Sequence, residues 1–412
     1  MTNIYQRLSV MMFLQFFIWG SWFVTMGSFL AANLNSTGIE TGRAFSTQSW
    51  GAIVAPFIIG YIADRFINAE RLLGVLHLAG ALLMLMLYQA NSFKGFYPVL
   101  LVYMICYMPT LALVNSISFR QLDDVASGFA RIRVWGTVGW ICAGLAISLL
   151  FSWDSRAAVE QGLLKNTFLM ASVASLVLAM FSMMLPPTPP IVREQKRGDV
   201  GAVLGLDAVG LLKDKNFALF FLISVLICIP LAFYYQYASP FLLEIGVENA
   251  TGKMTIGQMS EVIFMLLLPM FLARYGIKMT LLIGMLAWVL RYLLFAFGSP
   301  DGFALALVLG IALHGVCYDF FFVAGQIYAD SKAGEAHRSS IQGLITLATY
   351  GAGMLIGFST AGYIADLHVD QGVDRWESIW TFPAAFAFVV AIVFLLAFRD
   401  RLPRSLVSET VG

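Results

Sequence analysis

The chain reads as an all-α integral membrane protein, with twelve transmembrane helices in two pseudo-symmetric six-helix halves. Three observations predict this. Of its 412 residues, 59% are hydrophobic and only 12% charged, with mean hydropathy +0.81; a soluble chain carries about 25% charge. Apolar runs long enough to cross a hydrocarbon core about 30 Å thick recur along the whole length. The basic residues gather in alternate turns between those runs.

In chain order, the expected spans are 8–33, 45–63, 72–92, 96–119, 131–152 and 165–186, then 217–243, 254–273, 279–299, 302–328, 339–365 and 377–398. The first run, from Leu8, is too long for the core of a signal peptide and lacks an Ala-x-Ala-like site, so it is read as a span. The longest polar stretch opens at Pro186-Pro187-Thr188-Pro189-Pro190 and carries Arg193, Lys196, Arg197, Lys213 and Lys215. It divides the chain into an N-terminal half (1–186), a cytoplasmic linker (187–216) and a C-terminal half (217–412). A short surface helix is expected over 203–212.

Orientation follows from charge. One face takes Arg7, Arg65, Arg71, Arg120, Arg131, Arg133, the linker cations, Arg274, Lys278, Lys332, Arg338, Arg399, Arg401 and Arg404. The other takes only Arg43, Lys94, Arg156, Lys165, Lys253 and Arg375. The positive-inside rule puts both termini in the cytoplasm. The halves echo each other weakly. Ala55-Pro56-Phe57 leads to Gly60-Tyr61-Ile62-Ala63-Asp64-Arg65, and Leu268-Pro269-Met270 leads to Arg274-Tyr275-Gly276-Ile277-Lys278. Cys106, Cys142, Cys228 and Cys317 all lie in apolar runs and are read as small core residues, neither disulfides nor metal ligands.

Two acids lie deep inside spans, Glu261 in the eighth and Asp319 in the tenth. Glu261 is 13 residues from Arg274, about 20 Å along a helix. Asp319 is 11 residues from Asp330, about 16 Å. Intramembrane ionisable groups are costly, so they mark a site. Arg291 lies at the depth of Glu261 and is either its partner or a structural cation. Helical spacing then groups the polar residues. Gln258 shares a face with Glu261; Arg133, Thr137 and Trp140 form a stripe; so do Gln15, Trp19 and Trp22; His314 and Tyr318 align beside Asp319. Asn115 lies on the fourth span, and Tyr235 and Gln236 on the seventh. Amides and carboxylates hold hydroxyls and flat rings stack on a π-face, so this set suits a neutral, polyhydroxylated ligand with an aromatic base. No nucleophile, base or metal cluster stands at a catalytic spacing, which excludes an enzyme reading.

At these residues the chain resembles the nucleoside:proton symporter family of the major facilitator superfamily, the bacterial nucleoside permeases. The resemblance covers essentially the whole length. It is carried by 13–22 (FLQFFIWGSW), 107–111 (YMPTL), 132–139 (IRVWGTVG), 204–208 (LGLDA), 258–261 with 273–278, and 318–321 (YDFF). It implies the major facilitator fold, alternating access between the halves, and proton-coupled import of nucleosides across the bacterial inner membrane. Arg133, Thr137, Gln258, Glu261 and Asp319 match family substrate positions as they stand. Trp140 and Tyr318 sit where well-known members have phenylalanine, and His314 where tyrosine is found. In the seventh span the family's glutamine and asparagine give way near Ala232 and Tyr235, with Gln236 close by, which leaves room for a different nucleoside or another glycoside.

The expected mechanism packs a base on Trp140 or Tyr318, binds ribose hydroxyls to Gln258 and Glu261, and loads a proton on Asp319 or Glu261, with Asp319 the first choice. Gln15, Asn115, Tyr235, Gln236 and His314 are secondary substrate candidates. The rival readings are a proton-coupled sugar or glycoside symporter and a transport-dead receptor. No cofactor and no nucleic-acid partner are expected; the expected partners are the nucleoside, protons and the lipid bilayer, and the expected state is a monomer.

Overall fold

A computed structural model of the chain describes residues 2–58, 66–122, 125–190, 206–333, 338–370 and 373–399. Among the described residues the apolar runs are largely helical, and the described strands are only Val369–Asp370 paired antiparallel with Val373–Asp374. Among the described residues nine helices are long and apolar enough to cross a membrane. The longest, Ala250–Phe297, has 48 residues, about 72 Å and more than twice the hydrocarbon thickness. It breaks at Gly276 (φ 73°, ψ 174°) and so supplies both the eighth and ninth expected spans. Only glycine takes that φ cheaply. The first expected span is also interrupted, as Thr2–Gly20 and Met26–Leu34. Between them Ser21 Oγ donates to Phe17 O (2.6 Å) and Thr25 Oγ1 to Trp22 O (3.2 Å), side-chain bonds that compete with the helical ladder. Of the linker expected over 187–216, residues 191–205 lie outside the described residues, and past them Leu206–Lys213 is a 3₁₀ helix. The Gly60-to-Arg65 turn and residues 204–205 lie outside the described residues.

Contacts divide the chain into two units, 1–200 with 242–255, and 201–241 with 256–412. In the first unit, Thr2–Gly20 runs along Val125–Leu145, Ala69–Tyr88 along Asn166–Ser182, and Gly38–Ile58 along Phe93–Gln121. Backbones approach closely where side chains vanish. A β-carbon on Gly139 would lie 2.2 Å from Phe13 O, the small-residue contact that membrane helices use in place of a hydrophobic drive. Around it, buried Trp22 meets Tyr103 edge-on at 5.6 Å, and Trp19 meets Tyr107 and Trp140 at 5.7 and 5.6 Å.

Both ends of this unit are tied by polar contacts. At one, Glu70 accepts from the Thr188 amide (2.8 Å) and Asn68 Nδ2 (3.0 Å), while Gln121 donates to Pro187 O (3.2 Å). The proline-rich turn is therefore packed at its start, with Thr188 buried. At the other, Asp154 accepts from Ser148 Oγ and from the Thr251 amide (2.9 Å), and Ser148 Oγ accepts from the Gly252 amide (2.6 Å). These groups satisfy the first free amides of the helix Ala250–Phe297 and set a carboxylate at its positive end.

In the second unit, Lys215–Glu244 carries Pro230 and Pro240 within the helix. Met354–Leu367 crosses it at Gly357, whose β-carbon would lie 2.8 Å from Cys228 O. Two π-helical segments, Asp319–Val323 and Leu347–Gly353, interrupt the α-helical runs. Such wide turns frequently mark functional sites. All four cysteines are free, Cys228 and Cys317 buried. Large apolar side chains such as Leu266, Leu396 and Leu150 are exposed, the surface of a protein solvated by lipid tails.

Candidate functional site

The second unit assembles most of the polar set. Its framework is the crossing of Ala250–Phe297 with His314–Tyr318. Gly315 permits it, since a β-carbon there would lie 2.5 Å from Ser260 C. Ser260 Oγ fixes the register by accepting from the Gly315 amide at 3.0 Å while donating to Gly257 O at 2.8 Å. That contact sets Gln258 and Glu261, both half-buried, beside the turn carrying His314, Tyr318 and Asp319.

Asp319 is fully buried, and neither carboxylate oxygen has a hydrogen-bond partner. It opens the π-helical segment, and Glu261 acts on it electrostatically, as it does on Tyr235 and Tyr318. Tyr318 is half-buried, and its hydroxyl bonds the Tyr350 hydroxyl at 2.9 Å. A small recess opens here, lined by Cys228, Tyr318, Phe322, Thr349 and Tyr350 among others. Tyr350, in the second π-helical segment, escaped sequence reasoning. The run Thr349-Tyr350-Gly351-Ala352-Gly353 reads as close helix packing, and its one signal is a tyrosine inside an apolar span.

Arg291 is fully buried. Its guanidinium carbon sits 3.4 Å from the centroid of the Tyr234 ring, and Nη1 bonds His314 Nδ1 at 3.1 Å. Nε and Nη2 have no hydrogen-bond partner. Gln236 is buried and donates from Nε2 to Phe358 O at 3.2 Å, a tie to the neighbouring helix. Tyr235 is half-buried and interacts electrostatically with Tyr350.

In the first unit, Arg133, Thr137 and Trp140 are all half-buried. The Arg133 guanidinium lies over the Phe16 ring at 4.1 Å, a cation–π contact. Gly136 makes the room, because a β-carbon there would come within 2.8 Å of Arg133 Nη1. Trp140 stands edge-on to Trp19. Asn115 is half-buried. Gln15 is different: it is buried, Nε2 donates to Thr110 Oγ1 (2.7 Å), and Oε1 faces His77 Nε2 (2.9 Å). Tyr107 donates its hydroxyl to the Gln15 carbonyl (2.7 Å), closing a network whose His77 the sequence did not single out.

The arrangement supplies two acids, side-chain amides, aromatic rings and a buried cation, and the chain as a whole is similar to known transporters. The model of a family described as nucleoside H+ symporter matches residues 2–402. The chain is 44% identical to the putative nucleoside transporter YegT of Escherichia coli K12 over 402 residues, covering 96% of this chain and 93% of that one. It is 35% identical to the xanthosine permease of the same organism over 413 residues, with 96% of each covered. A crystal structure of a mutant of nucleoside transporter NupG superposes with TM-score 0.88 at 31% identity, covering 96% of this chain and all 100% of that one.

Proposed function

Because the chain belongs to the nucleoside H+ symporter family, we propose a division of labour among its residues for proton-coupled nucleoside import. The protein is a multi-pass membrane transporter and not an enzyme. In the second unit, Gln258 and Glu261 hold ribose hydroxyls, since an amide and a carboxylate on one helical face accept from adjacent hydroxyls. Tyr318 stacks on the base, with Tyr235 and His314 beside it. Asp319 carries the proton. In the first unit, Arg133, Thr137 and Trp140 serve the substrate through a cation, a hydroxyl and a ring, with Asn115 near them; Gln15 acts by holding its helix.

The observation that carries this reading is Asp319, buried with both oxygens unpartnered. A charged carboxylate so placed is costly to move through a closed state, and protonation removes the charge before movement. Both termini face the cytoplasm, as the distribution of Lys and Arg favours. One chain supplies every residue invoked, so a monomer suffices.

Uptake of labelled nucleosides into proteoliposomes under an imposed pH gradient tests the assignment. Asp319→Asn abolishes gradient-driven accumulation while retaining counterflow. Glu261→Gln weakens apparent affinity on the order of tenfold or more, the loss expected for a charged hydrogen bond to a hydroxyl. Full accumulation by both variants would sink the coupling scheme.

A further inference from the structure

Arg291 and His314 make a contact whose polarity is fixed by chemistry alone. A guanidinium has donors and no acceptor, and it stays charged. Arg291 Nη1 is 3.1 Å from His314 Nδ1, so Nδ1 is the acceptor and bears no hydrogen. The imidazole is therefore neutral, with its hydrogen on Nε2. Everything around the pair is held. Arg291 is fully buried with its cation 3.4 Å from the Tyr234 centroid, and Tyr234 stacks on His314 at 5.2 Å and 26°. Tyr234 also stacks on Phe295 at 6.4 Å and 13°. On its other side, the Cβ of His314 abuts Gly257, where an added β-carbon would lie 3.1 Å away. The ring cannot turn over without losing the bond to Arg291 and the stack on Tyr234. One turn along the same helical face, the Tyr318 ring centroid lies 5.9 Å from it.

From this geometry we propose that Arg291 is a positioning residue that locks His314 as a one-way donor, so that the transporter selects nucleosides presenting a base carbonyl over those presenting an amino group at that place. A donor meets a carbonyl oxygen or an amino group with opposite results, and a site built for a hydrogen bond rejects the analogue that cannot make it. The favoured class is the oxo-bases, such as uridine and inosine; the disfavoured class is their amino counterparts, cytidine and adenosine. This rests on the assignment of His314 to the base above.

Two measurements test it. Competition for uptake in proteoliposomes pairs uridine against cytidine and inosine against adenosine. Preference on the order of tenfold for the carbonyl member is expected, and equal competition within both pairs overturns the proposal. ¹⁵N NMR of histidine-labelled protein, with the signal identified by its loss in His314→Gln, reads the tautomer directly among the four histidines. A protonated Nε2 and bare Nδ1 are expected in the wild type; a protonated Nδ1 overturns it. Arg291→Met, where it folds, mixes the two tautomers and levels the preference, and a variant that keeps both signatures refutes the role of Arg291. If no nucleoside accumulates at all, the transport assignment fails while the tautomer is still read.

Discussion

Two tyrosine hydroxyls 2.9 Å apart, Tyr318 and Tyr350, show how the proposed binding surface is oriented by a residue outside the candidate set read from the sequence. The bond orients the Tyr318 ring, and a net contribution of about 1 kcal/mol is typical of such a contact. Tyr350→Phe should raise KM several-fold with little change in the maximal rate, read from concentration-dependent uptake; an unchanged KM would remove Tyr350 from the site. Residue types and helical spacing made Gln258, Glu261, Tyr318 and Asp319 legible in the sequence, because an acid or amide within an apolar run stands out. Spacing cannot show what a side chain bonds. Gln15 sat on an attractive stripe with Trp19 and Trp22, yet its amide is engaged at both ends by Thr110 and His77. Those partners come from helices 95 and 62 residues away, a relation no local pattern contains.

At the scale of the element, the apolar runs placed the helices well, and the departures have local causes. The eighth and ninth spans are one run of helix broken by the positive φ of Gly276. The first span is broken where Ser21 and Thr25 turn their hydroxyls onto the backbone. The π-helical turns at Asp319–Val323 and Leu347–Gly353 were not foreseen, since one extra residue per turn leaves no compositional mark. Close crossings were equally silent, for a glycine in a membrane span reads the same whether or not a carbonyl lies against it. Gly139 is the severe case. Gly139→Leu would drive a side chain into Phe13 O, rigid backbone 2.2 Å from the first added carbon. Overpacking of this kind costs about 1–3 kcal/mol or more, so the variant should give little monodisperse protein by size-exclusion chromatography, whereas Gly210→Ala, with open space around it, should behave as wild type.

For the molecule as a whole, composition alone gave the membrane class, and the charge pattern carries the proposed direction across the bilayer. The grouping of the chain by contacts was less legible. Residues 242–255 belong with the first unit although they follow the linker by a full helix. Their tie is the cluster of Ser148, Asp154, Thr251 and Gly252. Losing a carboxylate that caps a helix costs about 0.5–2 kcal/mol. Asp154→Ala should therefore lower the apparent melting midpoint of the detergent-solubilised protein by a few degrees, and an unchanged midpoint would mean that the cluster contributes no stability.

The same cluster has a consequence for biogenesis. The ribosome finishes residue 200 before the segment that completes the first unit exists, and about 55 more residues must be made before Thr255 appears. At about 5–20 residues per second, that interval lasts roughly 3–10 s. Through it the nascent unit presents Ser148 and Asp154 without the amides they will bind.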